Sequence, residues 1–300
     1  LENVQLGNTA VKFSRLVYGV WRLADDADTS VAHVRAKIDA CLEQGITTFD
    51  HADIYGDYRC EALFGKALAE DPSLRASMQL ISKCDIALVS DAFPARRVKH
   101  YDTSAAYIRN SLDTSLANLH SEQLDLLLIH RPDPFMDAAE TGAALDALVD
   151  SGKVKALGVS NFMHWDWRLL QQHMKHPLVV NQIEMNLLER NAFTDGTLAC
   201  MQHDGLHAMA WSPLAGGALF GDSPAAQRLR PLLQAIAARH NSTEDLVALA
   251  WLLMHPAGIM PVVGTNNIDR IRALAGACDI QIDRETWFEL WIAASGHDVP

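Results

Sequence analysis

Several features are missing from this sequence of 300 residues, and each absence removes a class of function. There is no Cys-x-x-Cys unit. The five cysteines, Cys41, Cys60, Cys84, Cys200 and Cys278, are odd in number and widely spaced, so buried, reduced thiols are expected rather than a disulfide framework. No run of five like charges and no Lys/Arg cluster interrupts the net charge of −12. That balance argues against nucleic acid or an anionic membrane as partner, since both demand neutralising cations. The most apolar stretch, 246–254, stops at His255 and Pro256, far short of the ~20 residues that span a bilayer. The first residues, LENVQLGNTAVKF, show neither a basic start nor an apolar stretch, so no targeting segment is expected. A cytoplasmic protein handling small molecules is the reading. No G-x-G-x-x-G follows a strand and no G-x-x-x-x-G-K-[ST] is present, so a nucleotide held in the Rossmann or P-loop manner is excluded. His203 and His207 are separated by Gly205, which interrupts a helix, so no metal site is expected there.

What the sequence does contain is rhythm. Short apolar runs rich in β-branched residues alternate with helix-patterned segments, the mark of parallel βα units. After a hairpin turning at Gly7-Asn8, strands are expected at 16–19, 48–50, 79–82, 124–129, 156–159, 179–183, 207–210 and 259–262. Runs such as LDLLLIH are apolar throughout, which requires a sheet covered on both faces. Between them, SVAHVRAKIDACLEQG places Val31, Val34, Ile38 and Leu42 at helical steps and stops at Gly45. Eight such units favour an α/β fold of the closed (β/α)8 TIM-barrel type over a doubly wound open sheet. The N-terminal hairpin precedes the barrel, and extra helices are expected at 225–240 and 284–294. No linker divides the chain, so one barrel domain over 1–300 is expected.

In such a barrel the chemistry collects where strands end. The second strand runs into Asp50-His51-Ala52-Asp53-Ile54-Tyr55, the third ends in Lys83 and the fourth in His130. A buried Lys needs a partner, and Asp50 on the neighbouring strand supplies one; the two alone would make a structural ion pair. Tyr55 beside Lys83 changes the reading, because an ammonium favours the phenolate and would draw the phenol pKa down toward working pH. A neutral His130 beside that phenol could orient a carbonyl. Gln182 and Glu184 lie two apart on one strand and so share a face; Glu184 is expected in a salt bridge.

The segments TFDHADIYG, LDLLLIHRPDP, KVKALGVSNF, VNQIEMNLL, AWSPLAGGALFG and PVVGTNNIDRI stand in the order and at the spacings of the aldo-keto reductase superfamily, which the whole chain resembles. The HRPDP element and the C-terminal TWFELWIAASGHDVP are most similar to its bacterial branch of oxidoreductases with undefined substrates. The resemblance implies a catalytic tetrad of Asp50, Tyr55, Lys83 and His130, with Tyr55 as proton donor. It implies NADPH/NADP+ as cofactor. Ser160, Asn161 and Gln182 would hold the carboxamide, and Trp211 would lie against the nicotinamide. Ser212, Leu214 and Gly216 would contact the pyrophosphate, and Gly264, Thr265, Asn267 and Arg270 the adenosine end. Trp21 and Arg22, at the end of the first strand, are expected to line the mouth, with Trp21 at the cofactor.

Two departures stand out. Asn266 and Asn267 occupy a segment that often carries Lys in this family, with Asp269 adding a negative charge, and His51 replaces a small residue after Asp50. The expected activity is NADPH-dependent reduction of a small carbonyl compound to an alcohol. The alternative is a nucleotide-sensing regulatory subunit of the same fold with little turnover; a metal-dependent hydrolase would need more strand-end ligands than Asp50 and His130. Phe93, Phe135, Trp165 and Trp167 are candidates for an aromatic pocket wall.

Overall fold

A computed structural model describes residues 1–299. Eight parallel strands close into a barrel: β3 (Val17–Gly19), β4 (Thr48–Asp50), β5 (Gln79–Cys84), β8 (Leu126–Ile129), β9 (Leu157–Ser160), β10 (Leu178–Glu184), β11 (His207–Trp211) and β12 (Met260–Val263). The last, β12, pairs back onto β3 through Val262↔Val17. The antiparallel pair β1 (Asn3–Gln5) and β2 (Lys12–Ser14) precedes them. The expected fold class is therefore observed, with strand ends moved by one or two residues. At the fourth strand, Leu124 makes only an isolated bridge to Val154 before β8 begins at Leu126.

Alternation along each strand divides the core in two. Ile81, Leu126, Leu128, Val179, Met209 and Met260 point inward and pack with Leu6, Val11 and Phe13 of the N-terminal hairpin, which plugs the barrel floor. Leu80, Leu127, Ile129 and Phe49 point outward beneath the helices. Inward-facing Ile81 sets the phase for Lys83, two residues on, which enters the upper end of the barrel with no exposed surface. Gly158 permits this closure, because a Cβ there would lie 2.6 Å from Leu128 and 2.7 Å from the Val180 carbonyl.

The helices obey their caps. Ser30 accepts from the His33 amide to start Val31–Leu42, Asp137 caps Ala138–Asp150, and Ser223 caps Pro224–Arg239. Pro224–Arg239 and Arg284–Ser295 are the two extra helices expected near the C-terminus. No helix among the described residues is long and apolar enough to cross a membrane.

One element was not expected. After β5 the chain makes a small hairpin, β6 (Ile86–Ala87) with β7 (His100–Tyr101), that projects from the end of the barrel where Lys83 sits. The Tyr58 hydroxyl accepts from the Leu88 amide at 2.9 Å and from Arg96 at 2.6 Å, fixing this hairpin to the loop that carries Tyr55.

Candidate active site

Lys83 organises the reaction end. Its ammonium has three N–H donors, and each has an acceptor: Asp50 Oδ2 at 2.7 Å, the His51 carbonyl at 2.7 Å and the Tyr55 hydroxyl at 2.9 Å. The other Asp50 oxygen accepts from the Gln182 amide at 2.9 Å. This buried ion pair is thus fully hydrogen-bonded, the condition under which such a pair is tolerated. Since Tyr55 accepts from Lys83, its own O–H proton is left to point elsewhere. The ring of His130 stands edge-on to that of Tyr55, with centroids 6.0 Å apart.

Backbone geometry delivers Tyr55 to this place. Gly56 has φ of 60°, and a Cβ there would fall 2.5 Å from Ala24 and 2.6 Å from the Cys60 sulfur. Asp57 and Tyr58 follow with positive φ, a strained run of the kind found at functional loops.

Burial corrects one expectation. The Tyr55 pKa lies above its usual value, because burial outweighs the ammonium of Lys83 and Asp50 opposes that ammonium further. The phenol therefore rests in its protonated form. For Lys83 burial works against the charge, but Asp50 and Tyr55 more than compensate, and its pKa is raised. His130 is held well below its ordinary range by burial, then by Lys83, Arg131 and Lys99, so it is neutral at pH 7. His51, wholly buried edge-on against Phe64, is pushed down to about 3 by burial and Lys83. Its bulk is accommodated as an aromatic ring would be, with neither nitrogen partnered.

Tyr55, Asp50 and His130 open on a cleft of about 1790 Å³ that runs across the barrel end to Arg270. All twelve residues expected at the cofactor line it: Trp21, Ser160, Asn161, Gln182, Trp211, Ser212, Leu214, Gly216, Gly264, Thr265, Asn267 and Arg270. Ser160 donates to the Gln182 carbonyl at 2.8 Å and accepts from Asn161, whose amide oxygen receives the Trp211 indole N–H at 2.9 Å. Asn161 and Ser212 hold positive φ as the chain leaves β9 and β11. Across the middle of the cleft, Arg22 reaches the Gly216 carbonyl at 3.3 Å. At the far end Asn267 caps the following short helix by accepting from the Arg270 amide, and Thr265 accepts from the Asn267 amide. The Arg270 guanidinium makes no ion pair among the described residues, while Asp269 turns to Arg272 at 3.6 Å.

Other expectations need correcting. Among the described residues Glu184 makes no salt bridge; it is half-buried, and it accepts from the Asn186 amide at 3.5 Å. None of the four aromatic wall candidates lines the cleft. Trp167 is buried with its N–H on Asp204, Phe93 packs on Arg96, and Phe135 and Trp165 face solvent. The exposed aromatic residues that do line the cleft are Trp21 and Phe220. Asn266 is a brace, accepting from buried Lys37 at 3.0 Å and donating to the Arg22 carbonyl at 2.7 Å. Sequence reasoning missed Lys99 and Arg131 as lining residues; the long stretch between β5 and the next helix was the signal available for Lys99.

Comparison with known proteins gives a consistent result. The model of the "Aldo/keto reductase family" matches residues 15–292. The chain is 54% identical over 289 residues to a 6-dehydroglucose reductase of Agrobacterium fabrum, covering 96% of this chain and 97% of that one. It is 41% identical over 301 residues, the full length of both, to the oxidoreductase YdhF of Escherichia coli. The crystal structure of a thermostable aldo-keto reductase in complex with the inhibitor epalrestat superposes with a TM-score of 0.83 at 26% identity, covering 98% of this chain and 100% of that one.

Proposed function

We propose, from the premise that this chain belongs to the aldo/keto reductase family, that it is an NADPH-dependent reductase turning an aldehyde or ketone into the alcohol. The observation that carries this reading is the hydrogen-bond order at Lys83: the Tyr55 oxygen accepts from the ammonium, so its proton is available to an oxygen placed in the cleft.

The cleft residues fit a dinucleotide. Unpaired Arg270 would meet a 2′-phosphate with two parallel hydrogen bonds. The loop that contains Gly216 and Gly217, both at positive φ, lines the middle of the cleft, where a pyrophosphate would pass beside Arg22. Trp211, its indole held by Asn161, would flank the nicotinamide, and the unpartnered end of the Gln182 amide and Asn161 would hold its carboxamide. NADPH, when bound, supplies hydride to the carbonyl carbon.

The protein supplies position and a proton. Neutral His130 offers an imidazole to the carbonyl oxygen, and Tyr55 gives that oxygen its proton as negative charge develops there. Lys83, held by Asp50 and the His51 carbonyl, stabilises the phenolate that remains. Because Tyr55 rests protonated, reduction is favoured near neutral pH and alcohol oxidation toward alkaline pH. The similarity to a 6-dehydroglucose reductase makes sugar aldehydes the first substrate class to test. Consumption of NADPH by a panel of sugar, alkyl and aryl aldehydes tests the reading; binding of NADPH without consumption on any of them would favour the nucleotide-sensing alternative.

A further inference from the structure

The cleft that holds Tyr55 is also lined by Trp21, Ile54, Ile86, Lys99 and Arg131. Two of these five are cations, in a protein whose net charge is −12. Such side chains usually find acidic partners, and others near this end of the barrel are engaged: Arg96 with Tyr58 and the Leu88 carbonyl, Arg22 with the Gly216 carbonyl. Among the described residues, neither Lys99 nor Arg131 makes an ion pair or donates a side-chain hydrogen bond. Three N–H donors on the exposed ammonium of Lys99 and five on the half-buried guanidinium of Arg131 therefore have no partner within the described residues and face the cleft mouth or solvent.

The backbone at both positions is held in place. Lys99 immediately precedes β7, whose pairing with β6 and anchorage through Tyr58 fix the hairpin. Arg131 follows His130 directly; its backbone amide donates to buried Asp85 at 3.3 Å, and its guanidinium lies 5.9 Å from the centre of the Trp211 ring. Both lie near enough to His130 to disfavour its protonation. The charge of Arg131 is felt by half-buried Glu184, and buried Asp85 and Asp133 lie behind it, so the mouth is rich in donors without being strongly positive.

We propose that Lys99 and Arg131 are specificity-determining residues that bind the hydroxyl groups of a polyhydroxylated aldehyde while its carbonyl sits at Tyr55. The proposal rests on the carbonyl-reductase reading above. A hydroxylated chain offers acceptors to both cations and C–H faces to Trp21, Ile54 and Ile86. An alkyl aldehyde of the same length would strip water from half-buried Arg131 and return no acceptor to either cation, and sites built to hydrogen-bond a hydroxyl reject analogues lacking it for that reason.

The test compares kcat/KM for D-glyceraldehyde against propanal, and for succinic semialdehyde against butanal, in the NADPH-supplied enzyme and in Lys99→Met, Arg131→Met and Arg131→Lys. The wild type should favour glyceraldehyde over propanal by about tenfold or more. Each Met variant should lower that ratio roughly fivefold, chiefly through KM for glyceraldehyde, and Arg131→Lys, which keeps donors, should lower it less. A ratio unmoved by both Met substitutions would overturn the proposal. So would a larger preference for the carboxylated aldehyde over butanal than for glyceraldehyde over propanal, which would make this an anion site. Absence of NADPH consumption on all four aldehydes would instead overturn the reductase reading beneath it.

Discussion

The two ends of the cleft are built by different means. At the reaction end the central polar groups are tied to one another: Lys83 to three acceptors, Asp50 to Lys83 and Gln182, Asn161 to Ser160 and Trp211. At the far end Thr265 and Asn267 turn their oxygens back onto the loop, and exposed Arg270 makes no ion pair among the described residues. The first arrangement is preorganised and dry, as a site must be to stabilise charge in a transition state. The second is a single cation waiting in solvent, suited to grip a ligand. Substitutions at the first end should act on kcat and at the second on cofactor affinity.

The largest effect is expected at Tyr55. Tyr55→Phe removes the proton while keeping the ring, and kcat for carbonyl reduction should fall about 10²–10⁴-fold with NADPH affinity little changed. A loss below tenfold would mean that the proton comes from elsewhere. Lys83→Met should come next. Beyond lowering kcat, it leaves Tyr55 without its stabilising ammonium, so the pH profile for alcohol oxidation, which needs the phenolate, should move to the alkaline side. A uniform fall with an unmoved profile would reduce Lys83 and Asp50 to a structural pair.

At the other end, Arg270→Ala should weaken NADPH roughly tenfold to a hundredfold and NADH far less, with kcat at saturating NADPH nearly preserved. Titration of cofactor fluorescence at low salt measures both constants. If kcat fell as far as affinity, the two ends would not be separable.

A separate effect, on stability and not on turnover, lies behind the reaction end, in Asp53. Its pKa is pushed up to about 7, first by burial, despite the hydrogen bond from Ser111, and Glu61 adds to the rise. A carboxyl whose folded pKa exceeds its unfolded value contributes stability that is complete below about pH 4 and is lost as pH rises to about 7. Asp53→Asn cannot titrate. Relative to wild type its unfolding free energy should therefore rise by about 3 kcal/mol between pH 4 and pH 7. Parallel urea titrations at the two pH values measure the difference; no change in the gap would show that Asp53 reaches water.

The contrast between the ends also explains what the sequence made legible. LDLLLIH reads as a strand buried on both faces, and the polar residues closing such runs are the ones that β4, β5 and β8 carry into the cleft. Two-residue strands have no period to read, so β6 and β7, and with them Lys99, were invisible. The adjacency of Lys83 and Tyr55 follows from neighbouring strands, but the pKa of Tyr55 depends on burial and on Asp50, which only the packed site sets against each other. Trp167, expected at a pocket wall, sits instead on the buried face of the helix His164–Gln172, where its N–H reaches Asp204.

The most direct test of NADPH-dependent reduction is isotope transfer. Wild-type protein is mixed with an aldehyde and with NADPH carrying deuterium at the transferable position of the nicotinamide ring, and the product is examined by mass spectrometry. One deuterium should appear on the former carbonyl carbon for each NADPH consumed, at a rate that Tyr55→Phe lowers about a hundredfold or more. NADPH that binds in the cleft while aldehydes of every class are recovered unlabelled and unreduced would contradict the reductase reading and leave a nucleotide-binding protein in its place.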